Sequence, residues 1–223
     1  MDFSFIREYW SYFLLGTANT IVLAIFTLIL GAIIGLVISL MRLSSRRILS
    51  WPARAYISVI RGTPLLVQIF IIYYGLPFNF PQAMFLGVDL ARFVPGIIAL
   101  SINSGAYIAE IVRAGIQAVD KGQMEASRSI GFNHAESMKL IILPQAIKNI
   151  LPALGNEFVI VIKESSIVSV IGIAELMYNA GIVRGATYRP MEPLLIAAFI
   201  YFILTSTITR ILGQAERRMS QGD

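Results

Sequence analysis

Apolar residues along this chain come in long blocks separated by short charged stretches. A helix that crosses a bilayer needs ~20 mostly apolar residues. Five stretches approach that length, from about Thr17 to Met41, Ala55 to Leu76, Val94 to Val112, Ile147 to Ile173 and Pro193 to Leu212. The first and last are nearly uninterrupted, whereas the middle three carry polar and charged residues. The pattern predicts an all-α, polytopic membrane protein with about five transmembrane helices. No internal repeat, low-complexity segment or linker divides residues 1–223, which read as a single membrane domain. The first apolar run is too long for a signal peptide and lacks a basic region before it, so it is expected to be retained as a span.

Charge sets an expected orientation. Lys and Arg collect on the inner side of a membrane. Arg42, Arg46, Arg47 and Arg54 follow the first span, Arg113, Lys121, Arg128 and Lys139 the third, and Arg210, Arg217 and Arg218 the end of the fifth. The N-terminus is therefore expected outside and the C-terminus in the cytosol. Tyr9, Trp10 and Tyr12 suit an outer aromatic belt.

Composition narrows the chemistry. The chain is 57% hydrophobic and 14% charged, against roughly 25% charged in soluble domains. It has no cysteine and a single histidine, His134, so a thiolate or multi-histidine metal site is ruled out. The +5 charge is what inner loops require, and no nucleic-acid partner is expected. Its lysines follow Asp120, Met138, Ile147 and Ile162, never glycine, so a P-loop is excluded. With no G-x-S-x-G or H-E-x-x-H either, the chain is not expected to be an enzyme.

One segment, about 119–139, is too charged to be a span. Glu125, Ala126 and Ser127 should open a short helix that Gly131 ends, and Asn133 should cap the next. Ser127 is expected on an exposed face. The pattern Glu125-Ala126-Ser127, Gly131, then Ile141-x-Leu143-Pro144 resembles the EAA signature of ABC importer permeases, with Ser127 in place of the usual alanine. "RGTPLLVQ" (Arg61 to Gln68), "INSGAYIAEIVRAGI" (Ile102 to Ile116), "KGQMEA" (Lys121 to Ala126), "LPALGNEF" and "KESSIVSVIGIAEL" (within Leu151 to Leu176) are similar to the polar-amino-acid branch.

The resemblance implies a type I importer subunit in a bacterial plasma membrane. Its cargo would be a polar amino acid such as glutamine, arginine, histidine or cystine. The 119–139 segment would be a coupling helix, with Glu125, Ala126, Ser127, Gly131, Leu143 and Pro144 as its signature positions. Partners would be ABC ATPase subunits, a second permease subunit, identical or paralogous, and an external amino-acid-binding protein. No cofactor is expected in this chain, since ATP and Mg would bind the ATPase. The outer segment from Ala174 to Arg189 would face the binding protein.

Charges inside a bilayer cost at least ~2.5–3.5 kcal/mol each, so they usually have a partner or a task. Arg61, Glu110, Glu157, Lys163 and Glu164 are the candidates, with Thr63, Asn103, Tyr107, Ser165 and Ser166 near them in sequence. Lys163 and Glu164 could flank a zwitterion or form an interhelical ion pair. Arg61 could line the path or snorkel to the headgroups. Asn103, Tyr107 and Glu110 share one helix stripe, which is either path lining or interhelical glue. Pro64 should kink the second span. Gly31 and Gly35 form a G-x-x-x-G that favours close helix packing, and His134 should lie on the surface. Two other classes remain, an ion-coupled carrier acting alone and a membrane scaffold.

Overall fold

The computed structural model describes residues 2–75, 83–85 and 88–220. The expected end of the second span at Leu76, most of the loop that follows it, and the side chain of Arg218 lie outside the described residues. Helix α1 runs Ile6–Leu43, α2 Arg47–Arg61, α3 Leu65–Gly75 and α4 Leu90–Gln117. Next come α5 Lys121–Ser129 and α6 His134–Ser137, a π turn Met138–Ile142, α7 Leu143–Glu164 and a 3-10 turn Ser165–Ile171. The chain ends with α8 Leu176–Thr187 and α9 Glu192–Ser220. A two-residue antiparallel ladder, Met84–Phe85 with Val88–Asp89, precedes α4 and is a small departure from the all-α expectation.

Among the described residues, α1, α4 and α9 are each long and apolar enough to cross a membrane. Two of the five expected spans differ from the expectation. The second is a broken span in which α2 and α3 meet at 109° across Gly62-Thr63-Pro64, a turn far sharper than a proline kink. The fourth, α7, carries Lys148, Glu157, Lys163 and Glu164 and falls short of the apolar criterion. Yet α7 is 22 residues, about 33 Å, long. It lies antiparallel between α4 and α9, with Gly115 beside Ile150 at one end and Ser104 beside Glu157 further along. Of its charged residues only Glu157 is buried, bonded to Ser104 of α4, while Lys148 and Lys163 are exposed.

Helices α1 and α4 run in the same direction and pack most closely. A Cβ at Gly35 would come within 2.6 Å of Ile108, and one at Gly31 within 3.2 Å of Ser104. From the other side, a Cβ at Gly105 would approach Ile34 to 2.7 Å. The expected G-x-x-x-G contact is therefore present, and side chains larger than hydrogen would force the helices apart. Two parallel helices joined through α2 and α3 require the joining pair to return across the bundle. Tyr56 of α2 donates to Ile102 O at 2.5 Å, and Ile69 of α3 is buried with Phe93 and Leu100 nearer the start of α4.

Candidate functional site

The break between α2 and α3 frees carbonyls that a helix would normally use. Gln68 takes them up: its Nε2 donates to Ile60 O at 2.7 Å, Thr63 O at 3.1 Å and Thr63 Oγ1 at 2.9 Å. Its Oε1 accepts from Asn103 Nδ2 at 2.9 Å. Thr63 and Asn103 are thus joined through Gln68, and α4 is pinned to the break. Sequence reasoning missed Gln68 although it sat inside a quoted motif. A glutamine four residues after a proline is its only local signal.

The expected stripe Asn103, Tyr107, Glu110 divides among four partners. Asn103 is buried on Gln68. Tyr107 is 37% exposed, and the Arg61 guanidinium lies 5.2 Å from its ring centroid, in cation–π range. Glu110 is held by Arg42 and Arg113, the latter through Nε at 3.0 Å and Nη2 at 2.8 Å.

On α7, Glu157 is only 4% exposed and accepts from Ser104 Oγ at 2.8 Å. Glu164, seven residues on and on the same side of the helix, is half-buried. Among the described residues neither Lys163 nor Glu164 enters an ion pair. Ser165 and Ser166 donate to Ile162 O and Lys163 O, both at 2.7 Å, so their hydroxyl protons stay on their own helix. Lys163 borders a groove of about 390 Å³ between α7 and α9, with Thr205, Ser206, Thr209 and Arg210 on the far wall.

The charged segment forms a compact knob. Asp120 caps α5 by accepting from Gly122 N at 2.6 Å. Gly131 has φ of +100°, Phe132 N donates to Ser127 O at 3.2 Å and Gly131 N to Arg128 O at 3.2 Å. This pair of bonds is a Schellman close, which needs a left-handed residue at the glycine. Asn133 then caps α6, accepting from Ala135 N at 2.9 Å and Glu136 N at 3.0 Å, while Glu136 returns to Asn133 N at 2.8 Å. His134 opens that helix and is exposed, as expected.

Glu125, Ala126 and Arg128 face out, and Ile130 is 75% exposed. Ser127 departs from the expectation. It is 4% exposed, faces inward, and satisfies its hydroxyl on Met124 O at 2.9 Å. Met124, Met138 and Ile141 root the knob in the cluster of Ile108, Val112, Ile142 and Ala146, contributed by α4, the π turn and α7. Leu143 and Pro144 start α7 directly, so the signature ends on a spanning helix.

At the opposite end, sequence reasoning missed Glu175. This residue is fully buried and caps α8, accepting from Met177 N at 2.9 Å and Tyr178 N at 2.7 Å. Tyr201 of α9 donates its hydroxyl to the same carboxylate at 2.7 Å. Beside it, Asn19 of α1 donates to Ala174 O at 2.7 Å and Leu176 N donates to Thr20 Oγ1 at 3.2 Å. Burial pushes the Glu175 carboxyl up to about 7, against the opposing pull of its three donors.

Residues 27–221 match the family of the binding-protein-dependent transport system inner membrane component. The chain belongs to that family. Its members are multi-pass membrane subunits of transporters, and the bundle described above is such a subunit. The chain is 43% identical to the arginine transport system permease protein ArtQ of Bacillus subtilis over 223 residues, covering 100% of this chain and 99% of that protein. It is 43% identical over 204 residues to the putative glutamine transport system permease protein GlnP of Rickettsia conorii, covering 92% of this chain and 91% of that one. The solved structure of an amino acid ABC transporter superposes with a TM-score of 0.90 at 49% identity, covering 98% of this chain and 99% of that chain. An inward-facing methionine ABC transporter at 17% identity has a TM-score of 0.70 over 98% of this chain and 99% of its own, and it shares the fold.

Proposed function

We propose that this permease carries a polar amino acid inward, driven by ATP hydrolysed on a separate subunit. The observation that carries the reading is the knob. Its outer face is exposed, its two helices are closed by their own caps, and its inner face is seated on α4 and α7. A partner that grips such an element moves both helices. An ATPase subunit holding ATP and Mg is that partner in this reading, docking against Glu125, Ala126, Arg128 and Ile130. Ser127, Gly131, Leu143 and Pro144 shape and anchor the segment.

The orientation follows the arginines. Helices α1, α4 and α9 run the same way and carry Arg42, Arg113 and Arg210 towards the end that bears the knob, and in this reading that end is cytosolic. The path for the substrate runs past Arg61, Thr63, Tyr107, Lys163, Glu164, Ser165 and Ser166, with Asn103, Glu110 and Glu157 behind them. Lys163 and Glu164 offer opposite charges that form no ion pair of hydrogen-bonding length among the described residues, as a zwitterion requires. A second permease subunit closes the path, and an external binding protein delivers the amino acid. The names of the relatives favour arginine or glutamine as cargo.

Proteoliposomes holding this chain, its ATPase and its binding protein test the reading. Arginine or glutamine with the binding protein should stimulate ATP hydrolysis. Glu125→Lys, on the exposed face of α5, should abolish the stimulation while the chain still inserts. Unchanged stimulation would reduce the knob to a connecting loop, and uptake without ATPase would favour an ion-coupled carrier.

A further inference from the structure

Two arginines, Arg42 of α1 and Arg113 of α4, hold one carboxylate, and α2 brings Arg54 and Arg61 to the same region, the latter over the Tyr107 ring. Glu110 is shared by Arg42 and Arg113. Arg42 also feels the like charges of Arg113, Arg54 and Arg61. The Arg42 and Glu110 side chains are only 24% and 16% exposed, so water screens their interactions incompletely. Arg54 is exposed and makes no hydrogen bond or ion pair among the described residues. Glu110 thus offsets one of the two charges of Arg42 and Arg113, and positive charge is left over beside it.

The surroundings say what kind of anion fits. Helix α2 begins four residues after α1 ends, so its first turns lie at the membrane boundary. Trp51, one turn before Arg54, is 72% exposed. Ile48 and Val59 are 80% and 60% exposed and, eleven residues apart, lie on one face of α2. A cationic edge beside an open apolar and aromatic face suits an amphiphile with an acidic head better than a free anion. Basic pockets between spans at the inner leaflet hold acidic headgroups in this way, and the arginine fork matches phosphate oxygens in pairs.

We propose that the α1–α2–α4 junction binds the phosphate of an anionic phospholipid, with Arg42, Arg54 and Arg113 about the headgroup and Ile48, Trp51 and Val59 along the acyl chains. The site borders the proposed path, since Arg42 and Arg113 share Glu110, but lipid binding is read without the cargo or the ATPase.

The test uses the full chain in nonionic detergent. Phosphatidylglycerol, phosphatidylcholine and inorganic phosphate are added in turn, with melting temperature and bound lipid by native mass spectrometry as readouts. Phosphatidylglycerol should raise the melting temperature and remain bound, and the other two should not. Arg54→Gln should weaken phosphatidylglycerol binding about tenfold, the loss of one charge-assisted contact. Arg54→Lys should keep most of the binding, and Arg184→Gln, on the exposed face of α8, should keep all of it. Equal effects of phosphatidylcholine, or wild-type binding by Arg54→Gln, would overturn the proposal. The same rise from inorganic phosphate alone would make this a free-anion site and would sink the lipid assignment.

Discussion

The bundle carries a short helix at each end, and the two are held by opposite means. At one end α5 is fixed by local backbone chemistry, with Asp120 capping its start and Gly131 closing its finish. Only its inner side touches the spans, through Met124 and Ser127, and its polar face is free. At the other end α8 is fixed from a distance. Its cap Glu175 is fully buried and bonded to Tyr201 of α9, and Asn19 and Thr20 of α1 hold the turn before it. A helix closed by its own caps keeps its shape when a partner moves it. A helix held by a buried carboxyl keeps its place only while that group's hydrogen bonds stay made. The first suits an element that is pushed, the second an element that must stay registered with the spans.

The largest test of this contrast is Glu175→Ala. It takes the shared acceptor from two N–H groups and the Tyr201 hydroxyl, and a buried group left without its partner costs ~1–3 kcal/mol. A loss of about 3 kcal/mol is expected, seen as a marked fall in melting temperature in detergent. A normal melt would show that α8 is held by its apolar contacts alone.

Acidity gives the next effect. The Glu175 carboxyl is raised to about 7 in the folded chain from 4.5. A raised carboxyl contributes its stability below the unfolded value and loses it as pH climbs through the folded one. Melting temperature should therefore fall from pH 5 to pH 8, by roughly 2 kcal/mol of stability, and Glu175→Gln should flatten the difference. Parallel curves for the two proteins would refute the assignment.

The smallest effect is Gly131→Val. A β-branched residue at φ of +100° is strained by roughly 1–2 kcal/mol, confined to one turn. Hydrogen exchange should quicken at α5 and α6 while global melting barely moves. Faster exchange across α4 as well would mean that the knob and the spans unfold as one unit.

The sequence readily disclosed what depends on near neighbours. The long apolar runs became α1 and α9, the glycine pair became the α1–α4 contact, and Gly131 and Asn133 closed the helices they were expected to close. What depends on distant partners was hidden. Pro64 announced a bend, but its depth comes from Gln68 filling the freed carbonyls and Asn103 holding Gln68. Ser127 looked like a surface serine because helical phase cannot say which face a knob turns inward. Glu175 looked like an ordinary loop acid after a span. Only Tyr201, 26 residues later, marks it as buried. Span α7 was named despite its charges, of which Glu157 alone is buried, on Ser104 of α4.

The glycine contact between α1 and α4 has a mechanical side. With Gly31, Gly35 and Gly105 at the seam, the two helices stand too close to slide or rock independently. α1 is 38 residues, about 57 Å, from end to end. Its far portion holds the turn before α8 through Asn19 and Thr20. α4 and α1 form a single close-packed pair, with the knob seated at one end and α8 held at the other, so a tilt applied at the knob would arrive at α8 as a swing.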